Sequence, residues 1–341
     1  MDEVATVPAA ADTAGASFAF SFGDPEPVIK ERLPDYLGLF SDAQWGYFLP
    51  PVSLPGLAAT LNANAHHGAI IRFKRNMLAR WFRPSPALSL LEFRKAALDW
   101  HVFGMAYFFA TRNRLDQVIR LERRPALKMR RGVVPGTFFE LSSPYDFGGK
   151  PTEYRPGEII QIKEDDVAQE VYGIPEWFGG LQSILLSEDV TLFRRRFFLN
   201  GAHVGYILVT TDAGIDTDTA AMIEAKVKEA KGPGNFRNLY LNIPRSTSRE
   251  PVKVVPVGDI ATKDDLVSIK QIMESEALAM HRMQPGISGV IPRNITGFGD
   301  LEKVAKVYLT FEVPPMQQPF LALNDVLPPA GRISFDDPAW A

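Results

Sequence analysis

The run Val171-Tyr172-Gly173-Ile174-Pro175-Glu176-Trp177 leads into a segment containing Leu192-Phe193-Arg194-Arg195-Arg196-Phe197-Phe198 and then Asn200-Gly201-Ala202-His203-Val204-Gly205-Tyr206. Proline is well placed in a first helical turn, where its missing N–H has no intrahelical partner to lose. The pattern predicts a long helix from about Pro175 to Asn200, stopped by Gly201. A strand follows, Val204 to Thr210.

Upstream, Pro50-Pro51 and Pro55-Gly56 mark a loop. Leu57, Leu61, Ile70, Ile71, Phe73, Met77, Leu78 and Phe82 predict one helix from Leu57 to Phe82, ended by Pro84 and Pro86. Ser89 is positioned as the N-cap of a second helix, with Glu92 three residues on, running to Gly104. Residues 105–163 predict strands at Ala106–Phe109, Val118–Leu121, Thr137–Leu141 and Glu158–Ile162, separated by Gly/Pro turns. Downstream, Asp216, Thr217 and Asp218 offer caps for a helix to about Lys231. Leu239 to Ile243 and Val252 to Val257 predict strands, joined by the polar stretch 245–250. Thr262 or Asp264 caps a helix to about Met283. A Gly/Pro-rich loop, 284–300, precedes a helix from Leu301 that breaks or kinks at Pro314-Pro315.

The chain has 341 residues, 46% hydrophobic and 23% charged, which is ordinary for a folded globular protein. Residues 1–27, rich in Ala, Thr, Asp and Pro, predict a flexible arm, and their composition lacks the features of a signal peptide. No apolar run is long enough to predict a membrane span. Cysteine is absent, which removes disulfides, thiolate catalysis and cysteine-based zinc sites. The net charge of −3 lacks the basic excess usual in a protein that grips phosphates.

In order and spacing, the stretches from Val171 to Tyr206 resemble the PBSX-type portal proteins of contractile-tailed temperate phages. Ile260-Ala-Thr-Lys-Asp-Asp265 and Gly299-Asp-Leu-Glu-Lys-Val-Ala-Lys-Val307 agree. So do His66-His67, Lys74-Arg75-Asn76 and the run from Asp99 to Tyr107. The resemblance spans about residues 30–330. It implies an α+β portal fold: an α/β wing, a two-helix stem, a small β clip, a channel loop and a kinked C-terminal helix. The wing is then 28–215, the stem helices 216–231 and 265–283, the clip 232–264, the channel loop 284–300 and the return helix 301–327. The short Pro-rich end, 328–341, departs from the longer helical crown of many portals, so no full crown is expected.

The resemblance further implies a ring of typically twelve subunits at one capsid vertex of the virion, assembled in the bacterial cytoplasm. Double-stranded DNA slides through such a ring without sequence readout. Terminase large subunit, head-completion and connector proteins, major capsid protein and scaffold are the implied partners. A sleeve that lets DNA slide should be near-neutral. The first expected stem helix balances its charges, the second is slightly acidic, and Lys270 and Glu274 are expected to face the channel. In the loop, Gly286, Gly289 and Gly297 allow close backbone approach. Arg293, Asn294 and Thr296 could meet phosphates. Packing of this loop on an adjacent subunit is the alternative. Phe236, Arg237, Asn238, Arg245 and Arg249 project from the clip as candidate docking residues. A basic cluster, Arg112, Arg114, Arg120, Arg123, Arg124, Lys128, Arg130 and Arg131, could face DNA or capsid protein, or form a solvated face or intersubunit ion pairs.

Signatures of catalysis are missing. Gly149-Lys150-Pro151-Thr152 lacks Walker A spacing, and Gly297-Phe298-Gly299 precedes no βαβ unit. His66 and His67 point about 100° apart on a helix and make a poor metal pair. His101, His203 and His281 stand isolated in sequence, and packed or capping roles are expected. No cofactor and no metal are expected. Glu164-Asp165-Asp166 and Asp264-Asp265 keep open a two-metal nuclease, and a capsid or baseplate component is the other alternative.

Overall fold

The computed structural model describes residues 40–144, 149–167, 169–199, 206–210, 222, 239–242, 252–256, 263–288 and 301–338. The chain divides into two compact units. The larger comprises Val28–Asp189 and Val267–Ala341, the smaller Met1–Pro27 and Val190–Leu266.

The larger unit opens with a short hairpin, β1 (Ser41–Asp42) and β2 (Tyr47–Phe48). The expected helix from Leu57 to Phe82 is in fact two, α1 (Leu54–Ala63) and α2 (Ala65–Trp81). Asn64 is the reason. Its backbone is extended, and its side-chain oxygen accepts the N–H groups of His66 and His67, which caps α2. Hydrophobic periodicity runs through the junction and does not reveal the break.

A two-residue strand, β3 (Phe82–Arg83), leads to α3 (Leu90–Phe103), where Ser89 accepts the Glu92 N–H as expected. The Glu92 carboxylate does not complete a capping box. It accepts the N–H of Arg123 and the ammonium of Lys95 instead. Gly104 ends α3 with φ of 69°. A side chain there would meet the Ile174 carbonyl at 2.5 Å, and one on Gly173 would meet the Gly104 oxygen at 1.9 Å. Two glycines thus let the segment 171–177 lie directly against the α3 terminus.

The chain continues as β4 (Met105–Arg112), β5 (Val118–Arg124), β6 (Met129–Arg131), β7 (Phe138–Glu140), β8 (Thr152–Tyr154) and β9 (Ile159–Lys163). These form two antiparallel three-stranded sheets, ordered β5-β4-β9 and β6-β7-β8. Phe108 of β4 lies opposite Arg123 and Ile160. β6 and β8 are additions to the strands expected from sequence. Two buried clusters form the core. One contains Phe93, Trp100, Phe108, Leu278 and Phe320; the other contains Leu57, Val102, Tyr107, Trp177 and Ile184. Each fully buried side chain of this size contributes about 1.5–3 kcal/mol.

The helix expected from Pro175 starts later. Glu176–Gly180 form a 3-10 turn, and α4 runs Leu181–Leu199. The tie of Trp177 to the His101 carbonyl, and the Gly179-Gly180 pair, account for the tighter first turn. In the smaller unit β10 (Tyr206–Thr210) is the central strand, parallel to β11 (Leu239–Asn242) and antiparallel to β12 (Val252–Pro256). The two expected strands of the 232–264 segment therefore flank β10 rather than pairing with each other. The expected helix 216–231 lies outside the described residues except for Met222, which is helical.

The helix expected at 265–283 is α5 (Lys263–Met280). It ends in a Schellman turn, in which Met283 N–H bonds the Leu278 carbonyl and Arg282 N–H bonds that of Ala279. A short helical turn, α6 (Pro285–Ser288), begins the segment expected to be loop. Then α7 (Leu301–Phe311) and α8 (Val313–Leu321) form the broken helix. Pro314 and Pro315 sit in the first turn of α8, where they cost no hydrogen bond. β13 (Ser334–Phe335) pairs with β3, and Phe335 closes an aromatic group with Phe82 and Phe93.

Candidate functional site

α5 is the element on which the expected channel residues can be placed. Met273, Ala277 and Leu278 bury its inner face. Lys270 and Glu274 lie on the half-buried flank, and the Glu274 carboxylate is 3.7 Å from His66 Nε2. Ser268, Ile272, Ser275, Glu276 and Ala279 form the exposed side. Gly286 lies within α6. Gly289, Arg293, Asn294, Thr296 and Gly297 lie outside the described residues, as do Phe236, Arg237, Asn238, Arg245 and Arg249.

Where α5 ends, a polar node, buried at its histidines and Lys74 and exposed at Arg282, holds it to the body of the larger unit. His67 and Lys74 come from α2, a turn or two apart on its buried face, and His101 from the last turn of α3. Glu176 comes from the 3-10 turn, and His281 and Arg282 from the α5 terminus. Glu312 stands between α7 and α8. Glu176 is shared: one oxygen accepts from Arg282, and the other lies 3.4 Å from Lys74 Nζ. Arg282 also reaches Glu312, with Nε 3.4 Å from the carboxylate. Lys74 is only 3% exposed, and burial lowers its pKa against the opposing pull of Glu176.

The histidines form a directed chain. Thr60 Oγ1 donates its one proton to the Leu57 carbonyl at 2.7 Å, so at 3.2 Å it must accept from His67 Nε2–H. Burial lowers the His67 pKa to about 3, which keeps the ring neutral and leaves Nδ1 as an acceptor. His281 Nε2–H donates to it at 3.0 Å. Burial, with the nearby charge of Lys74, lowers His281 to about 2 and His101 well below its usual value. Glu164 is pushed up to about 7 by burial and by the neighbouring Glu176 and Asp165. Lys74, His101, Glu164, Glu176 and His281 line a cavity of about 10 Å³. That is room for about one water molecule.

His281, isolated in sequence, is thus stacked and bonded to His67 in space. Among the described residues no group of three or more His, Asp or Glu could hold a metal ion. The acidic run 164–166 is split among three settings. Glu164 faces the node, Asp165 is exposed near Lys163, and Asp166 accepts the Gln169 N–H.

The basic cluster of 112–131 is not one open face. Arg123 makes a two-pronged pair with buried Asp99, at 2.6 and 2.7 Å. Arg130 is buried and donates to the carbonyls of Leu127 and Met129. Arg124 and Arg131 lie over the rings of Phe109 and Phe138. Arg112 and Arg120 pair with Asp116 and Glu122. Counting only acids close in sequence missed Asp99, 24 residues upstream of Arg123.

No protein-family model matches the chain. It is 39% identical over 307 residues to the probable portal protein of Escherichia phage P2, covering 90% of this chain and 87% of that one. It is also 39% identical over 285 residues to the probable portal protein of Haemophilus phage HP1, covering 83% and 82%. Among solved structures, the neck of an empty GTA particle computed with C6 symmetry superposes with a TM-score of 0.56 at 14% identity, covering 86% and 85%. The neck of a native GTA particle computed with C12 symmetry gives 0.53 at 13%, covering 83% and 84%. An HK97 family phage portal protein from Corynebacterium diphtheriae gives 0.55 at 13%, covering 82% and 95%.

Proposed function

This chain belongs to the phage portal proteins, and from that membership we propose that its ring is the conduit for double-stranded DNA during packaging and ejection. It is a portal protein of the virion, acts at a capsid vertex and assembles with itself. The finer reading is a PBSX-type portal of about twelve subunits, in keeping with the C12 neck. Assembly takes place in the host cytoplasm. Residues 28–215 serve as wing, 216–231 and 265–283 as stem, 232–264 as clip and 284–300 as channel loop.

In this reading the channel surface includes Lys270, Glu274 and the loop residues Gly286, Gly289, Arg293, Asn294, Thr296 and Gly297. A near-neutral surface lets the duplex slide, because a dense array of cations would have to release phosphates at every step. The clip residues Phe236, Arg237, Asn238, Arg245 and Arg249 dock terminase first and head-completion proteins later. Capsid and scaffold proteins meet the wing. The role is structural, without catalysis, cofactor or metal.

The near-full-length likeness to two phage portal proteins carries this reading. Negative-stain microscopy with native mass measurement tests it. Rings with a central hole wide enough for a duplex are expected. A closed assembly without an axial hole would overturn the conduit reading.

A further inference from the structure

α7 is amphipathic in an unusual way. Ala305, Tyr308 and Leu309 are buried, but the flank beside them is also apolar. Val304, Val307 and Phe311 follow one another at helical spacing. Val307 is 56% exposed and Phe311 68%. The flank of a helix at a protein surface is ordinarily polar, and a contiguous exposed apolar strip marks an interaction site.

A ring of identical copies needs two different, complementary surfaces on each copy, because every contact joins one face to another. The larger unit carries a second candidate on α5. Its exposed side centres on Ile272, 57% exposed, with the small residues Ser268, Ser275 and Ala279 around it. The charges complement each other. Lys303 stands one turn before Val307 at the edge of the α7 strip, and Glu276, whose one carboxylate oxygen accepts from Ser183, stands one turn after Ile272 on α5. The apolar strip would meet Ile272 and the small side chains around it, with cation against anion beside them.

We propose that the Val307–Phe311 strip of α7 docks on the Ile272 side of α5 in a second copy of this chain. The contact is head-to-tail, and it rests on the ring reading above. It would bring the start of the return helix of one copy against the stem helix of the next, at the level of the channel.

The absence of cysteine makes the contact directly testable. In an Ile272→Cys/Val307→Cys double variant, disulfide formation requires the two Cβ atoms to approach closely. Oxidation of assembled protein should give a ladder of linked oligomers on a non-reducing gel, absent from either single variant. Phe311→Glu should abolish rings while leaving the circular dichroism and melting temperature of the subunit unchanged. Rings that show no ladder, a cross-link confined to single chains, or rings that persist in Phe311→Glu would overturn the contact. Persistence would assign the strip to another virion protein. A wild-type chain that stays monomeric at high concentration would instead remove the ring reading, and the contact with it.

Discussion

His281 Nε2–H donates to His67 Nδ1 at 3.0 Å, joining residues 214 apart in the sequence. The bond fixes the end of α5 to the first turn of α2, and the His67 ring must be neutral to accept it. The chemistry of this node sets how firmly the end of α5 is held.

Stability should therefore depend on pH in a predictable sense. His67, His101 and His281 all have pKa values lowered by burial from 6.5. Below pH 6.5 the unfolded chain takes up protons that the folded node refuses, so stability falls as pH drops. Glu164 acts in the opposite direction. Raised from 4.5 to about 7, it holds in the folded state a proton that the unfolded chain has released across that window. Melting temperature should fall from pH 6.5 to pH 5, and more steeply in Glu164→Gln, which loses the opposing group. Equal slopes in the two proteins would show that Glu164 does not titrate in this window.

Glu176 should matter more than Lys74. Glu176→Gln leaves a buried ammonium and a guanidinium without their shared anion, which should cost about 2–4 kcal/mol. Lys74→Met removes the buried charge and fills similar space, while Arg282 still neutralises Glu176. It should change stability by about 1 kcal/mol or less. Urea unfolding of the two variants checks the order, and the reverse order would refute the shared-anion account.

Arg282 occupies a backbone position that favours glycine, with φ of 51° at the Schellman turn. Its side chain pairs with Glu176 and Glu312. Arg282→Gly and Arg282→Ala both lose those ion pairs, but only glycine relieves the left-handed backbone. The alanine variant should be less stable than the glycine variant by about 1 kcal/mol. Chemical denaturation of the pair measures this directly.

Gly173→Ala should destabilise the larger unit by about 1–3 kcal/mol, because a methyl group there meets the Gly104 carbonyl and the backbone must move. The urea midpoint should drop with an unchanged slope. An unchanged midpoint would mean that the segment 171–177 is not held against α3 as described.

Several elements were legible because their signals are local. Ser89 as a cap, the stop at Gly104 and four of the six strands of 105–163 follow from residues that act within a few positions of themselves. The split between α1 and α2 was not, since Asn64 stops one helix by capping the next while the apolar rhythm continues. The Arg-rich segment showed its charge but not its partners, and Asp99 lies on another element. Of the candidate site, Lys270 and Glu274 could be placed on a helix from sequence, whereas their half-buried flank could not.

By itself the sequence determined the α+β class, the order of most elements and, through the spacing of its motifs, the portal family. Propensity, capping and periodicity are short-range effects, and the spacing of motifs survives as a linear record. Only the tertiary structure decided that Lys74, His101, Glu176, His281 and Arg282 converge on one polar node. It alone placed β10 between β11 and β12. Protonation states and ion-pair partners depend on burial and on distances across the fold, and neither quantity exists until the chain has packed.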